Sequence, residues 1–233
     1  MTSSVWGPGP LARVAAPLRE QVTERVRDAI LDLRLQPGER LVERELVESL
    51  GVSRATVREV IRQLAAEGLV TVVPQRGAQV TALSPSDAAD IYEMRASLEA
   101  LAVRRFVQRA DDRQVRALRD AVDEIARTAE NRAGDGLPAQ LAAKDRFYEQ
   151  LFAGSGSAPL QQTVAGLQAR VRLLRATSLS APGRGWAAAE ELRAVVDAVE
   201  DRDADRAADA CIVHIRNAAR TATARLGQDG AAG

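Results

Sequence analysis

The 233-residue sequence predicts a mainly α-helical chain in two parts: a small N-terminal domain with a β-hairpin, and a larger antiparallel helical bundle. Three observations support this prediction. Two helical segments, 43–50 and 54–67, meet at Gly51, where a tight turn is easily made. A β-branched stretch with a turn at 74–77 follows directly, which is typical of two short strands. From residue 86 onwards apolar residues recur every three or four positions, the period of amphipathic helices.

The first helix is marked by apolar residues four positions apart, namely Leu18, Val22, Val26 and Ile30. A Pro37-Gly38 pair then predicts a turn. Gly51 is expected to end the second helix in a left-handed conformation, and Ser53 is expected to cap the third helix. The hairpin closes this domain, so the N-terminal part has three helices and a two-stranded wing.

The second part is predicted to hold six helices, joined by loops short enough for an antiparallel bundle. Their apolar stripes run through residues 91–101, 115–125, 141–152, 160–174, 192–199 and 207–218. Ser86 is expected to cap the first of them. The predicted organisation is therefore a flexible tail over 1–16, an N-terminal domain over 17–82, a bundle over 86–226 and a second flexible tail over 227–233.

Composition narrows the classes of protein that fit. Lys and Arg number 32 and Asp and Glu number 32, so the net charge is zero, and the hydrophobic content of 46% is ordinary for a globular protein. The single cysteine, Cys211, excludes a disulfide framework and a cysteine-rich zinc site. No apolar run reaches the roughly 20 residues that a membrane span needs. The N-terminus lacks the features of a signal peptide, so a cytoplasmic protein is expected.

The helix, turn, helix and hairpin in the N-terminal part form a winged helix-turn-helix, whose second helix can enter the major groove of DNA. Arginine donates two hydrogen bonds to guanine, while Ser and Thr suit phosphates or bases. The alternative is that these arginines form an ordinary solvated face, but the added wing and spacing favour DNA. The candidate contacts are Arg44, Ser53, Arg54, Thr56, Arg58 and the wing-tip residues Gln75, Arg76 and Gly77.

Several stretches closely resemble the winged helix-turn-helix of GntR-family transcriptional regulators: RDAILDLRLQPGERL, SRATVREVIRQLAAEGLV and PQRGAQV. The stretch IYEMRASLEALAVRRF and the segment from LLRATS to ACIVHI resemble the effector-binding FCD domain of the FadR-like subgroup. The resemblance covers all but the two tails. It implies the same DNA contacts, a homodimer on a palindromic operator, repression rather than activation, and an effector in the bundle. Ala55 departs from some members, which leaves base preference at that point open.

Many FCD domains hold a divalent metal through one Asp or Asn and three His, one pair of them four residues apart on a helix face. In this chain the resemblance places Lys144 at the acid, Tyr148 at the first His and Leu192 at the second, while His214 remains. A cation and an aliphatic side chain cannot bind a metal, so we expect no metal and no cofactor. The alternative is that acidic residues one position away replace them, namely Asp145, Glu149 and Glu191.

The altered bundle interior is predicted to bind an organic acid or another anionic metabolite directly, without a metal bridge. The candidate effector contacts are Arg95, Lys144, Tyr148, Arg172, Arg175, Leu192 and His214. The alternative is that Lys144 extends to solvent and Tyr148 only fills the core. A separate alternative is a ligand-independent DNA-binding regulator whose effector and metal site has degenerated. An enzyme is not expected, because the lone lysine has no catalytic partners and Cys211 is expected to be a buried apolar group.

Overall fold

The computed structural model describes residues 16–130 and 136–231. The N-terminal part contains three helices and three strands: α1 (Ala16–Leu31), β1 (Arg40–Leu41), α2 (Glu43–Leu50), α3 (Arg54–Ala66), β2 (Val70–Val73) and β3 (Gly77–Val80). The predicted N-terminal tail lies outside the described residues except for Ala16, which begins α1.

The sheet has the order β1-β3-β2, and both pairs are antiparallel. The predicted two-stranded wing is present as β2 and β3, but the prediction missed β1. That strand is only two residues long, pairing Arg40 with Gln79 and Leu41 with Ala78, and so carries no periodicity of its own. It attaches the wing to the rest of the domain.

The turn between α2 and α3 follows the local signals in the sequence. Gly51 has φ 65°, a left-handed conformation that glycine adopts without steric cost. The Ser53 hydroxyl accepts a hydrogen bond from the backbone N–H of Thr56, so the predicted N-cap is confirmed. Both features fix where α3 begins and therefore which side chains stand at its N-terminal end.

The second part holds seven helices among the described residues: α4 (Pro85–Arg109), α5 (Asp112–Glu130), α6 (Gly136–Gly154), α7 (Ala158–Ala165), α8 (Gln168–Leu179), α9 (Arg184–Glu200) and α10 (Ala204–Ala231). The prediction of six was wrong because the fourth is broken at Gly166 and Leu167. Glycine is a poor helix former, but the apolar stripe continues through the break and hides it.

Two helix ends also differ from the prediction. The cap of α4 is Ser84 and not Ser86, because Pro85 has the fixed φ that suits the first helical position and leaves Ser84 before it. At the other end of the chain, residues 227–231 continue α10, where a flexible tail was expected. Residues 232–233 lie outside the described residues. None of the described helices is long and apolar enough to cross a membrane.

The two parts have separate hydrophobic cores that meet at α8. Leu173 on this helix is 3% exposed and belongs to the core of the N-terminal domain, with Ala169 packed against the same core. Val171 and Leu174 of the same helix belong to the core of the bundle. Helix α8 therefore contributes side chains to both cores.

Candidate functional sites

The N-terminal end of α3 presents three of the predicted DNA contacts. Arg54 is exposed and forms no ion pair within the part of the chain that the structure describes. Ser53 and Thr56 are engaged with each other, since their hydroxyl oxygens lie 2.9 Å apart and Ser53 also caps the helix. Arg54 is thus the group at this end that is available to a ligand without breaking a contact. Ser53 and Thr56 help to fix the conformation of the helix end.

Two further predicted arginines, Arg44 and Arg58, are exposed and form weak ion pairs. Arg58 Nε lies 3.0 Å from a carboxylate oxygen of Glu43, which joins the second turn of α3 to the start of α2. Arg44 Nε lies 3.9 Å from Glu48 on the same helix. Exposed pairs of this kind contribute little to stability, so both guanidinium groups can exchange a carboxylate for a phosphate at small cost.

The tip of the wing is a tight turn with an exposed arginine. Gln75 has φ 63° and Gly77 has φ 86°, and Arg76 between them is exposed. The Arg40 side chain from β1 lies beside this tip, with Nη2 3.9 Å from where a Cβ on Gly77 would stand. Arg40 is a further candidate contact that sequence reasoning missed, because its strand was not predicted.

A chain of hydrogen bonds crosses the centre of the bundle. The Lys144 amine lies 3.3 Å from Nε2 of His214, and Nδ1 of the same ring lies 2.6 Å from Glu191. Arg184 donates two hydrogen bonds to Glu191, at 3.0 and 2.7 Å, and Asn217 donates a third at 2.7 Å. Glu191 is therefore the common acceptor of three side chains.

Burial and neighbouring charges shift the pKa values of these hydrogen-bonded side chains. Burial, together with nearby Arg175 and Arg184, holds the pKa of Lys144 well below its ordinary value. Burial and Lys144 lower the pKa of His214 to about 3, so the ring is neutral at physiological pH. Burial opposes ionisation of Glu191, but hydrogen bonds with His214 and Arg184 outweigh it and lower its pKa to about 2. Nδ1 of the neutral His214 ring then donates to Glu191, while Nε2 accepts from the Lys144 amine.

These residues do not fit the metal centre that the family resemblance implies. The Lys144 amine bonds the ring nitrogen that would face a metal, and Leu192 is a buried aliphatic side chain. Burial, with Glu99 nearby, raises the pKa of Tyr148, so its hydroxyl keeps its proton. Across the described ranges, no three His, Cys, Asp or Glu residues are grouped so that they could hold a metal.

The alternative metal ligands are engaged elsewhere or point outwards. Asp145 lies 3.0 Å from both Arg172 and Arg175, and Glu149 is exposed. Glu191 is occupied by the hydrogen bonds described above. The implied ligand positions thus hold an amine, a phenol and an aliphatic side chain, and the nearby carboxylates are occupied by arginines or exposed, where a divalent ion would need free carboxylates and imidazoles.

A cavity of about 160 Å³ lies beside this chain, between α4, α6, α7 and α8. Three of the predicted effector contacts line it: Arg95, Tyr148 and Arg175. Lys144, Leu192 and His214 do not line it and form part of the packed interior. Arg172 lines a different cavity, of about 530 Å³, between α1, α3 and the bundle.

Arg95 is the central polar group of the smaller cavity. Its Nε donates to Glu99 at 2.8 Å, and its Nη2 lies 3.4 Å from the Tyr148 hydroxyl. The Arg175 guanidinium stacks over the Tyr148 ring at 3.8 Å, and Phe152 lies beyond that ring with centroids 6.2 Å apart. Glu99 was missed by sequence reasoning, although its position four residues after Arg95 signals such a pair.

A winged helix-turn-helix joined to a helical bundle with a cavity between its helices defines a two-domain, DNA-binding transcriptional regulator. The chain belongs to the GntR family of bacterial regulatory proteins: residues 18–80 match that family, and residues 90–217 match the FCD domain. The family predicted from sequence is confirmed.

Named relatives and a solved structure agree with this assignment. The chain is 36% identical over 140 residues to the Nta operon transcriptional regulator of Aminobacter aminovorans, a match that spans 60% of this chain and just 65% of that protein. It is 30% identical over 164 residues to the transcriptional repressor GlaR of Escherichia coli, covering 66% and 73% of the two chains. In fold it resembles a putative GntR regulator from Rhodococcus sp. RHA1, with a TM-score of 0.74, 23% identity, and coverage of 90% and 97%.

Proposed function

We propose that the protein is a homodimeric repressor that binds a palindromic operator and changes its DNA affinity when a small molecule occupies the cavity beside Arg95. The observation that carries this proposal is the position of α8. Val171 and Arg175 on this helix line the cavity, while Leu173 is buried in the core of the DNA-binding domain. A ligand that moves α8 must therefore disturb the packing of that domain.

The DNA contacts are divided by chemistry. Arg54 is free at the start of α3 and is proposed to read a base in the major groove. Arg44, Arg58 and the wing arginines Arg40 and Arg76 are proposed to hold the phosphate backbone, with Gln75 and Gly77 shaping the wing tip. Ser53 and Thr56 would contribute hydroxyl groups to phosphate or base once their mutual hydrogen bond opens.

Repression is proposed because a relative of this chain, GlaR, is named a repressor. The cytoplasm is the proposed location, since the DNA lies there. Catalysis is not part of the proposal: Cys211 is buried and burial raises its thiol pKa, which leaves the neutral, unreactive form. No metal takes part in the proposed function, because Lys144, Tyr148 and Leu192 do not supply ligands.

The outer face of α4 supports a dimer in which two copies of this helix pack antiparallel. Met94 and Leu101 are 43% and 42% exposed, and Asp90 and Arg105 are exposed further along the same face. With a two-fold axis beside Ser97, Met94 faces the partner's Leu101 and Asp90 faces the partner's Arg105. Neither Asp90 nor Arg105 forms an ion pair within residues 16–130 and 136–231. The face therefore places apolar side chains opposite apolar ones and an acidic residue opposite a basic one, as a two-fold interface requires.

DNA binding is tested by fluorescence anisotropy with a labelled fragment from upstream of the gene for this chain. Arg54→Ala is expected to cost about 1 to 3 kcal/mol of binding free energy and to relax sequence preference. Arg40→Ala is expected to weaken all sequences alike and to reduce the salt dependence by about one charge. Glu130→Gln, an exposed change on α5, is the control. Unchanged affinity for Arg54→Ala would contradict the proposed reading helix.

The dimer is tested by charge exchange on α4. Asp90→Arg and Arg105→Asp are each expected to weaken the dimer, because each places like charges opposite one another at both ends of the interface. The double variant restores opposite charges and is expected to restore the dimer, as measured by sedimentation velocity. A double variant no more dimeric than either single variant would contradict the antiparallel arrangement.

A ligand-independent regulator is the second candidate. The observation that favours it is the Lys144–His214–Glu191 chain, which fills the centre of the bundle with its own hydrogen bonds. Operator affinity that no small molecule changes would support this second function against the first.

A further inference from the structure

The cavity beside Arg95 contains buried polar atoms that lack partners. Arg95 and Glu99 are each 3% exposed and Arg175 is 6% exposed. Arg95 Nη1, Glu99 Oε2 and Arg175 Nε have no hydrogen-bond partner within the structure, although the other polar atoms of Arg95 and Glu99 are bonded. A buried polar atom without a partner costs about 1 to 3 kcal/mol, more for a charged group. These three atoms lie on side chains that line one cavity.

The unpartnered atoms include both hydrogen-bond donors and an acceptor. Arg95 Nη1 and Arg175 Nε are donors, and Glu99 Oε2 is an acceptor. Tyr148 adds a donor, because its hydroxyl oxygen already accepts from Arg95 and its raised pKa keeps the proton in place. A ligand that satisfies all of them must offer an acceptor to three donors and a donor to one carboxylate oxygen.

The charge of the lining decides between ligand classes. Arg95 and Arg175 are positive, while Glu99, Asp145 and Glu149 are negative. Lys144 does not line the cavity, and burial with the neighbouring arginines holds the pKa of its amine well below the ordinary value. Asp145 is already paired with Arg172 and Arg175, and Glu149 is exposed, so Glu99 supplies the unpaired buried carboxylate oxygen. A lining with two guanidinium groups and this free carboxylate oxygen does not favour a ligand that carries only negative charge. It favours one whose own positive and negative groups are both present.

Size and polarity of the walls limit the rest of the ligand. A buried cavity of about 150 Å³ accommodates benzene, so the 160 Å³ here suits a side chain of a few carbon atoms beyond the polar groups. Apolar side chains form the remaining wall, namely Leu98, Phe152, Val164, Leu167 and Val171. A short branched or linear hydrocarbon group fits this wall.

We propose that the ligand of this cavity is a small zwitterionic α-amino acid with a short apolar side chain, an inference that rests on the proposed effector role of the cavity. The carboxylate accepts from Arg95 Nη1, Arg175 Nε and the Tyr148 hydroxyl. The ammonium group donates to Glu99 Oε2. The side chain lies against Phe152 and the aliphatic wall. Every orphaned polar atom of the cavity lining then has a partner of complementary charge.

The test is isothermal titration of the full chain with compounds that differ by one group. The probes are L-valine, L-leucine, 2-hydroxy-4-methylpentanoate, 4-methylpentanoate and 3-methylbutylamine. One of the two amino acids is expected to bind most tightly. Loss of the ammonium group or of the carboxylate is expected to weaken binding at least tenfold, because a buried charged group is left without its partner.

The variant Glu99→Gln reverses the preference if the inference is correct. It removes the negative charge that holds the ammonium group, so L-leucine is expected to lose at least tenfold in affinity. 4-Methylpentanoate, which has no ammonium group, is expected to bind this variant as well as or better than the natural chain. Glu130→Gln makes the same substitution on the surface of α5 and is expected to leave every affinity unchanged. If Glu99→Gln does not fold, the relative affinities of the probes for the natural chain still test whether the ligand needs both an ammonium group and a carboxylate.

Three results would overturn the inference: 4-methylpentanoate or the hydroxy acid binds more tightly than both amino acids, Glu99→Gln leaves the preference unchanged, or no probe binds. Measurements of operator affinity distinguish failure of the amino-acid inference from failure of the proposed function. If another class of small molecule changes operator affinity, only the amino-acid inference fails. If an amino acid binds with the expected preference and operator affinity does not change, the binding inference stands and the proposed regulatory role fails.

Discussion

The amine nitrogen of Lys144 lies 3.3 Å from Nε2 of His214, at the centre of the helical bundle and 70 residues away along the chain. His214 is fully buried and Lys144 is 3% exposed. The contact links α6 to α10, and Glu191 on α9 extends it. Three helices are thus joined by an amine, a neutral imidazole and a carboxylate, with no divalent ion required to hold them.

Removing Glu191 is expected to destabilise the bundle strongly. Glu191→Ala leaves the buried Arg184 guanidinium without its carboxylate and His214 without its acceptor, which typically costs about 3 to 5 kcal/mol in the free energy of unfolding. The neighbouring Glu190→Ala removes only an exposed pair with Arg193 and is expected to cost less than about 1 kcal/mol. Urea denaturation measures both. Equal losses in the two variants would show that the buried hydrogen bonds of Glu191 add nothing to the free energy of unfolding.

Acid is expected to destabilise the protein through His214. Its pKa is 6.5 in an unfolded chain and about 3 in the fold, so between these values the unfolded state binds a proton that the folded state does not. The free energy of unfolding therefore falls as pH falls, by about 2 kcal/mol between pH 7 and pH 5 from this group. Lys144, with its lowered pKa, contributes in the same direction below its ordinary pKa.

The comparison that isolates this effect is His214→Gln, which has no titrating ring. The difference in unfolding free energy between the natural chain and the variant should shrink as pH is lowered from 7 to 5. A constant difference would mean that the ring has the same pKa in the folded and unfolded states, which would contradict the prediction.

The natural chain is expected to bind no metal in the bundle. Protein purified without chelator should contain no stoichiometric zinc, nickel or manganese, and neither EDTA nor added zinc should change its melting temperature. The triple variant Lys144→Asp, Tyr148→His, Leu192→His restores the family's ligand types beside His214 and is expected to gain a metal and a higher melting temperature with zinc. Stoichiometric metal in the natural chain would contradict this prediction and favour the nearby carboxylates as ligands.

Close packing at Gly154 gives a test of the bundle core. A Cβ at this position would overlap the ring of Phe106, which is fully buried and cannot move aside freely. Gly154→Ala is therefore expected to cost about 1 to 3 kcal/mol of unfolding free energy. The same substitution at Gly227 in α10 meets open space and should stabilise by up to about 1 kcal/mol through helix propensity. Thermal denaturation compares them, and a stabilised Gly154→Ala would refute the contact.

The N-terminal domain was predictable from sequence because its signals are local. Gly51 and Ser53 each act on residues within one turn, and the hairpin turn lies between adjacent strands. The errors came where the local signal was weak or misleading: β1 is two residues long, and Gly166 breaks a helix whose apolar period does not change.

The effector domain was less predictable because its polar contacts join distant parts of the chain. The resemblance identified Lys144 and His214 as altered positions, but it could not show that they bond each other. Glu99 was overlooked because a charged residue on a long helix is usually solvated, and only the fold shows it 3% exposed beside Arg95. The residues that line the cavity depend on how four helices pack against one another, and no local sequence pattern specifies that packing.

Helix α8 has a consequence for how the chain unfolds. Because Leu173 of this bundle helix completes the core of the DNA-binding domain, the bundle cannot melt without leaving a hole in that core, and melting of the DNA-binding domain exposes Leu173 to water. Scanning calorimetry should therefore show one transition for the whole chain, with a calorimetric enthalpy equal to the van't Hoff value. Leu173→Ala, which removes a buried side chain from only one of the two cores, should separate that transition into two, with the DNA-binding half melting first.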